Sequence, residues 1–292
     1  MIYYFGLALC TSAIYMIAAS GASVSLKAGQ INLAGEGLIY TGGFLCAICL
    51  NFFGKYNINA FVSLSASFIL AAVAGGLLML LCEYLHKKKN ADFLLTSFIL
   101  SSAIIPIIDG LIAGPFRTSS GNLLATSYIL EKYRFKSILK PSPLNITFFI
   151  AIIFCIALYF ALKKTSYGKM LQIYGISPEF SLYSGLPCKE ITYSAAFISG
   201  SLYCVAGATA VCGTYFTCHS GFYTGIGWNS LSVAMIAKGN PIFVIPASIF
   251  MGILMIFSDR AALFSSLNFD LNTLIQAGIL FMISILYKDK NE

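Results

Sequence analysis

The chain has 292 residues, 58% of them hydrophobic and only 10% charged, with a mean hydropathy of +0.84. Soluble domains carry roughly 25% charged residues, so this composition excludes a water-soluble fold and predicts an all-α polytopic membrane protein. The net charge of +7 is spread over short loops, where it meets anionic headgroups; no basic patch of the kind that binds nucleic acid is present.

In chain order, the first apolar span covers about residues 3–21. No basic segment precedes it in Met1-Ile2-Tyr3-Tyr4-Phe5, so it reads as a membrane helix and not as a cleaved signal peptide. The second span, about residues 31–53, opens on Gly29-Gln30-Ile31-Asn32-Leu33-Ala34-Gly35-Glu36-Gly37. An ionised carboxylate costs roughly 2.5–3.5 kcal/mol at a helix centre on insertion scales. Glu36 must therefore face a polar cavity, find a partner or lie near the interface. In a helix, Asn32 and Glu36 fall at i and i+4 on one face, and Gly35 and Gly37 let a neighbour approach closely. Two readings stand. The stretch lines a transport path, or it is a glycine-rich packing face with Glu36 tied to Lys27 or to backbone donors.

The third span, about 60–82, is closed by the charged run Glu83 to Lys89, and the fourth, about 93–113, contains Pro106 and Asp109. A polar interval, 114–143, follows. Within it, residues 128–139 mix apolar and basic side chains, which predicts a helix on the membrane surface. The fifth span is about 146–162, a second polar interval covers 163–190, and the sixth span is about 191–211. Residues 224–237 are apolar but too short to cross ~30 Å. Lys238-Gly239-Asn240-Pro241 interrupts the run, 242–257 continues it, 258–270 is polar and 271–287 is the last span. The expectation is eight or nine crossings in a single transmembrane domain, 1–292.

If the Lys87–Lys89 loop is cytoplasmic, alternation puts Lys27, the 163–190 loop, Lys238 and the C-terminal tail on the same side. Eleven of the 18 Lys and Arg then face inward, as the positive-inside rule favours. Like the opening of the second span, Gly225-Ile226-Gly227-Trp228-Asn229 sets glycines and an asparagine at the head of an apolar run. Paired glycine-interrupted segments point to a midplane site. Trp228 reads either as an interfacial anchor or as a ring presented to a passing solute.

Nine cysteines, most within apolar segments, read as small buried hydrophobes. Cys212, Cys218 and His219 share one loop; they read as packing residues, as a disulfide on an oxidising face, or as metal ligands. Their spacing matches no usual zinc pattern and a fourth ligand is missing, so no metal site is expected. No phosphate-binding loop is present, since Gly168-Lys169 is followed by Met170. Neither an HExxH motif nor a nucleophile elbow occurs.

Three blocks resemble the membrane subunit of ABC importers in the branched-chain amino acid, ribose and nucleoside permease family, most closely its nucleoside and riboflavin branch. The first is G-x-x-N-x-x-x-E-G with a later glycine, matched by Gly29, Asn32, Glu36, Gly37 and Gly42. The second is the cytoplasmic T-x-x-G-x-x-x-R-A-x-G-x-N-P, matched by Thr165, Gly168, Gly175 and Pro178, with Gln172 in place of Arg and Ser177 in place of Asn. The third is G-R-x-N-P, matched by Asn240 and Pro241, with Lys238 at the basic position.

The resemblance implies a type II-like ABC importer transmembrane domain in a bacterial cytoplasmic (inner) membrane. It implies a coupling loop at 163–190 in which Thr165, Gly168, Gly175, Pro178 and Glu179 face a separate nucleotide-binding subunit. Thr165 can cap a helix, Gly175 can end it and Pro178 can begin another. It also implies a second permease subunit, a paralogue in this branch, and an extracytoplasmic solute-binding protein, with ATP and Mg held by the partner and no cofactor on this chain. The expected path residues are Asn32, Glu36, Trp228 and Asn229, and the expected solute is a nucleoside-like aromatic polyol. A sugar or branched-chain amino acid, an ion-coupled secondary transporter and a receptor-like membrane enzyme are the alternatives.

Overall fold

A computed structural model describes residues 2–118, 123–138 and 142–264, with isolated residues 274, 277, 278 and 281. Ten α-helices follow in order: α1 Ile2–Lys27, α2 Gly35–Lys55, α3 Ala60–Lys89, α4 Phe93–Ala113, α5 Thr147–Lys164, α6 Ser166–Ile176, α7 Pro178–Tyr183, α8 Cys188–Ala210, α9 Ile226–Ile236 and α10 Pro241–Phe264. Among the described residues, seven of them are long and apolar enough to cross a membrane, and no named strand forms. The span expected at 271–287 lies outside the described residues.

Two helices form the hub. α1 and α8 are rich in Ala, Ser and Gly and buried along most of their length. Small side chains let backbones touch: a Cβ on Gly42 or Gly75 would strike the α8 backbone at Cys204 or Gly200. Around this hub, α3, α4 and α5 turn rows of large apolar side chains outward, such as Leu77, Ile99 and Ile153. Exposed apolar rows on long helices are what lipid requires and water forbids.

Local chemistry sets the ends. The Asn59 side chain accepts from the Phe61 amide at 3.0 Å and Asp92 from that of Leu94 at 2.9 Å, capping α3 and α4. α3 runs through the charged run to Lys89 and stops at Asn90, whose φ of 54° is a left-handed cap. Pro106 lies within α4 without ending it.

The structure changes two expectations. Residues 128–138 do not form a surface helix: apart from a 3₁₀ turn at Glu131–Tyr133 they are irregular, with Ile129 and Tyr133 fully buried. Their backbone bonds instead to the 212–220 segment, through Ile129 to Phe216 and Phe135 to Cys212, which satisfies amides that a helix would have paired internally. The second expectation concerns the start of α2. It begins at Gly35, not near Ile31, so Asn32 is not helical and does not share a helical face with Glu36.

Candidate solute site where two broken segments meet

Residues 28–34 form a non-helical strap between α1 and α2. Gly29, at φ 74°, makes the turn. The Asn32 Oδ1 accepts from the Ala34 amide at 2.9 Å, while its Nδ2 donates to Ser199 Oγ at 3.0 Å. Amides at the start of α2 have no partner within the helix; α4 supplies them. The Leu33 and Gly37 amides donate to Ser97 and Ser101 Oγ, at 3.1 and 2.9 Å.

From the other end of the bundle, α8 passes into a π turn at Val211–Tyr215, and the chain folds back to Gly225. Phe216 and Gly225 take the left-handed conformation at φ 58° and 79°. α9 then runs for 11 residues, about 16 Å at 1.5 Å per residue and about half the apolar thickness of a bilayer. It is too short to cross alone, and its start meets the first turn of α2. There the Gly225 amide donates to Glu36 Oε1 at 2.8 Å, setting a carboxylate at the positive end of α9. A Cβ on Gly227 would sit 2.7 Å from Glu36 Cγ, so only glycine admits this crossing.

Beside the junction is a cavity of about 840 Å³, lined among others by Glu36, Tyr215, Phe222, Trp228, Asn229 and Asp259. Of the four expected path residues it gathers Glu36, Trp228 and Asn229. Asn32 instead lines a small adjoining crevice with Glu36 and Trp228. Asn229 is buried; its Nδ2 donates to Tyr15 Oη at 3.3 Å and its Oδ1 has no donor among the described residues.

Sequence reasoning missed the cavity's other members. Tyr215 lies in the aromatic-dense loop after α8 and Asp259 in the polar residues expected beyond α10, but no spacing tied either to Glu36. A second missed cluster joins Tyr40 Oη and Ser220 Oγ to Asp109 Oδ1 at 2.6 and 2.7 Å. Near it, Tyr215, Phe222 and His219 pack ring to ring, and burial lowers the His219 pKa. Tyr223 is pushed up by burial, then by the charges of Asp109 and Glu36. Cys212 and Cys218 are buried free thiols, Cys212 lying 3.6 Å from Cys46.

At the opposite end of α9, the expected coupling loop is ordered. Thr165 Oγ1 accepts from the Gly168 amide at 3.1 Å to cap α6, and Ser177 caps α7, where Pro178 takes the first turn with Glu179 beside it. Gly175 does not end α6, which runs on to Ile176. It is instead a contact glycine: a Cβ there would strike the Lys27 carbonyl and stand 3.0 Å from the Gly29 amide. Gly168 likewise lies against the Leu162 backbone. Ile176, Phe180, Leu182 and Tyr183 are all exposed on this loop.

A helical membrane bundle whose broken segments meet beside a cavity lined by apolar rings and a few polar groups fits a solute-translocating permease better than a membrane anchor. The profile of the family described as branched-chain amino acid transport system / permease component matches residues 4–284, and the chain belongs to that family. It is 31% identical over 282 residues to the probable riboflavin import permease protein RfuC of Treponema pallidum (strain Nichols), covering 93% of this chain and 71% of that one. It is 20% identical to the guanosine ABC transporter permease protein NupP of Bacillus subtilis (strain 168), covering 98% and 82%. With the glucose ABC transporter permease protein TsgB13 of Haloferax volcanii it shares 21% identity over 89% and 70%. Its fold is similar to that of a metal-chelate type ABC transporter in an inward-facing conformation, with a TM-score of 0.51 and 17% identity over 98% of this chain and 85% of that one. The chain is a multi-pass ABC importer permease subunit with the type II-like transmembrane fold.

Proposed function

We propose that this chain carries a nucleoside-like aromatic polyol, a nucleoside or riboflavin, into the cytoplasm through the cavity beside Glu36. The observation that carries the reading is the cavity's lining: Trp228, Tyr215 and Phe222 offer ring faces while Glu36 and Asn229 offer hydrogen-bond acceptors. An aromatic heterocycle on a polyhydroxyl chain uses both. The identity to a riboflavin permease supports the same class.

In this reading, Asn32 positions the strap, and Glu36, Trp228 and Asn229 line the path. The chain acts as one transmembrane domain, 1–292, in a bacterial cytoplasmic membrane. It holds no cofactor and no metal. ATP and Mg bind a separate nucleotide-binding subunit that docks on Thr165, Gly168, Gly175, Pro178 and Glu179. The exposed apolar side chains of α6 and α7, set apart from the lipid-facing rows at the bundle's Lys-rich end, support a protein partner there. A second permease, a paralogue of this chain, and an extracytoplasmic solute-binding protein complete the importer.

The test is uptake into proteoliposomes holding the full complex. ATP-dependent accumulation of riboflavin or guanosine is expected. Uptake driven by an ion gradient without ATP or the nucleotide-binding subunit would favour a secondary transporter; ATP-dependent uptake of glucose or leucine alone would move the solute class.

A further inference from the structure

The cavity is rich in acceptors and poor in positive charge. Its lining includes the carboxylates of Glu36 and Asp259, the amide of Asn229 and the hydroxyls of Thr11, Thr214 and Thr224, and no Lys, Arg or His among the described residues. Arg260 does not line it; its guanidinium lies 4.5 Å over the Tyr4 ring. Between Arg260 and Lys288 the sequence contains no basic residue. The start of α9 is the one feature that would attract an anion, but its Gly225 amide is already given to Glu36.

A second observation shows what the cavity lacks. Asn229 is 4% exposed, lines the cavity, and has an Oδ1 with no donor among the described residues. A buried acceptor without a partner calls for a ligand that brings an O–H or N–H. Glu36, held at one oxygen, is likewise acceptor-only when ionised.

Resting on the cavity reading above, we propose that the cavity admits uncharged, donor-bearing solutes and rejects their phosphorylated counterparts, with Glu36 as the specificity-determining carboxylate. A phosphate monoester carries about −1.5 to −2 charges at pH 7. Between apolar walls it would face the Glu36 carboxylate with no lining cation among the described residues, and the apolar surroundings strengthen that repulsion. A hydroxyl in the same place donates to these acceptors.

The chain's single tryptophan, Trp228, lines this cavity and reports on it. The assembled complex, without solute-binding protein, is titrated with riboflavin and with flavin mononucleotide, and in parallel with guanosine and guanosine monophosphate. The signal of a Trp228→Phe complex is subtracted. At least one neutral solute is expected to change the Trp228 emission, and its phosphorylated partner to need on the order of 100-fold more, as like-charge juxtaposition requires. Glu36→Gln should narrow that gap about tenfold.

Equal titration by the neutral and phosphorylated forms would overturn the selectivity while leaving the cavity as the solute site. An unchanged gap in the Glu36→Gln complex would overturn its assignment to that carboxylate. No Trp228-dependent change with either neutral solute would overturn the cavity reading and this inference with it. The comparison within the unaltered complex needs no variant to fold.

Discussion

The two ends of the 28–34 strap are built in opposite ways. At its upper end, Glu36 meets Gly225 through one hydrogen bond beside an open cavity, and Asn229 holds an acceptor unfilled. At its lower end, Gly29 and Gly175 touch backbone to backbone. There Gln30 Nε2 donates to the fully buried Glu83 at 2.9 Å, Lys87 lies 3.9 Å from Glu83, and Lys87 Nζ donates to Tyr174 Oη on α6 at 3.1 Å. The first joint is roomy and made by one hydrogen bond; the second is packed and cross-linked, although Gln30 Oε1 and Glu83 Oε1 there, like Asn229 Oδ1, have no hydrogen-bond partner among the described residues. A loose joint can exchange partners with a solute, whereas a packed one transmits displacement because close-packed interfaces do not deform continuously. One short strap therefore links the surface proposed for ATPase docking to the surface proposed for solute.

The sharpest way to break this contrast is to overfill the packed joint. Gly175→Val puts a branched side chain against the Lys27 carbonyl. Overpacking costs up to about 3 kcal/mol, so coupled uptake should fall on the order of 100-fold while the complex still reaches the membrane. Unchanged uptake and ATPase stimulation would show that this contact transmits nothing. At the loose joint, Glu36→Gln keeps the shape and removes the charge. A hydrogen bond to a charged group contributes about 1.5–3 kcal/mol, and import should slow on the order of 10- to 100-fold in the proteoliposome assay. Trp228→Ala removes a ring face from the cavity; aromatic contacts contribute about 0.5–1.5 kcal/mol, so the apparent KM should rise about 3- to 10-fold with ATPase coupling intact. The smallest effect belongs to Glu179→Lys. This residue is exposed in the first turn of α7, where reversing one charge shifts affinity for an acidic or basic docking rim by about 1 kcal/mol or less, read as a change of a few-fold in ATPase stimulation that salt abolishes.

Much of this arrangement was legible in the sequence. Hydropathy and length located the spans, the shortness of 224–237 marked α9 as a half-crossing, and the Thr165 and Pro178 signals located α6 and α7. Glycines beside an amide in both broken segments marked the meeting point. What stayed hidden depends on partners distant in sequence. Nothing local in Ile31-Asn32-Leu33-Ala34 forbids a helix; the strap is non-helical because Ser97 and Ser199 offer its polar groups better bonds. The irregular 128–138 segment lost its expected helix in the same way, to backbone partners in 212–220. Gly175 carries a helix-ending residue type, yet its use is close approach, which only the position of Lys27 reveals. Asp259 joined the cavity only once α10 was seen to pass Tyr215.

The central claim is that the Glu36 side chain belongs to the solute path and does not merely hold α2 against α9. Glu36→Leu separates the two, because leucine removes the acceptor but favours burial against lipid or a neighbouring helix. The measurement is ATP-driven solute uptake into proteoliposomes containing the full complex, divided by the amount of complex recovered on affinity purification. We expect recovery close to that of the unaltered complex and uptake reduced by about 100-fold or more, the upper end for losing a buried charged hydrogen bond. Normal uptake would remove Glu36 from the path, and lost uptake with poor recovery would assign it to packing; either result contradicts the account.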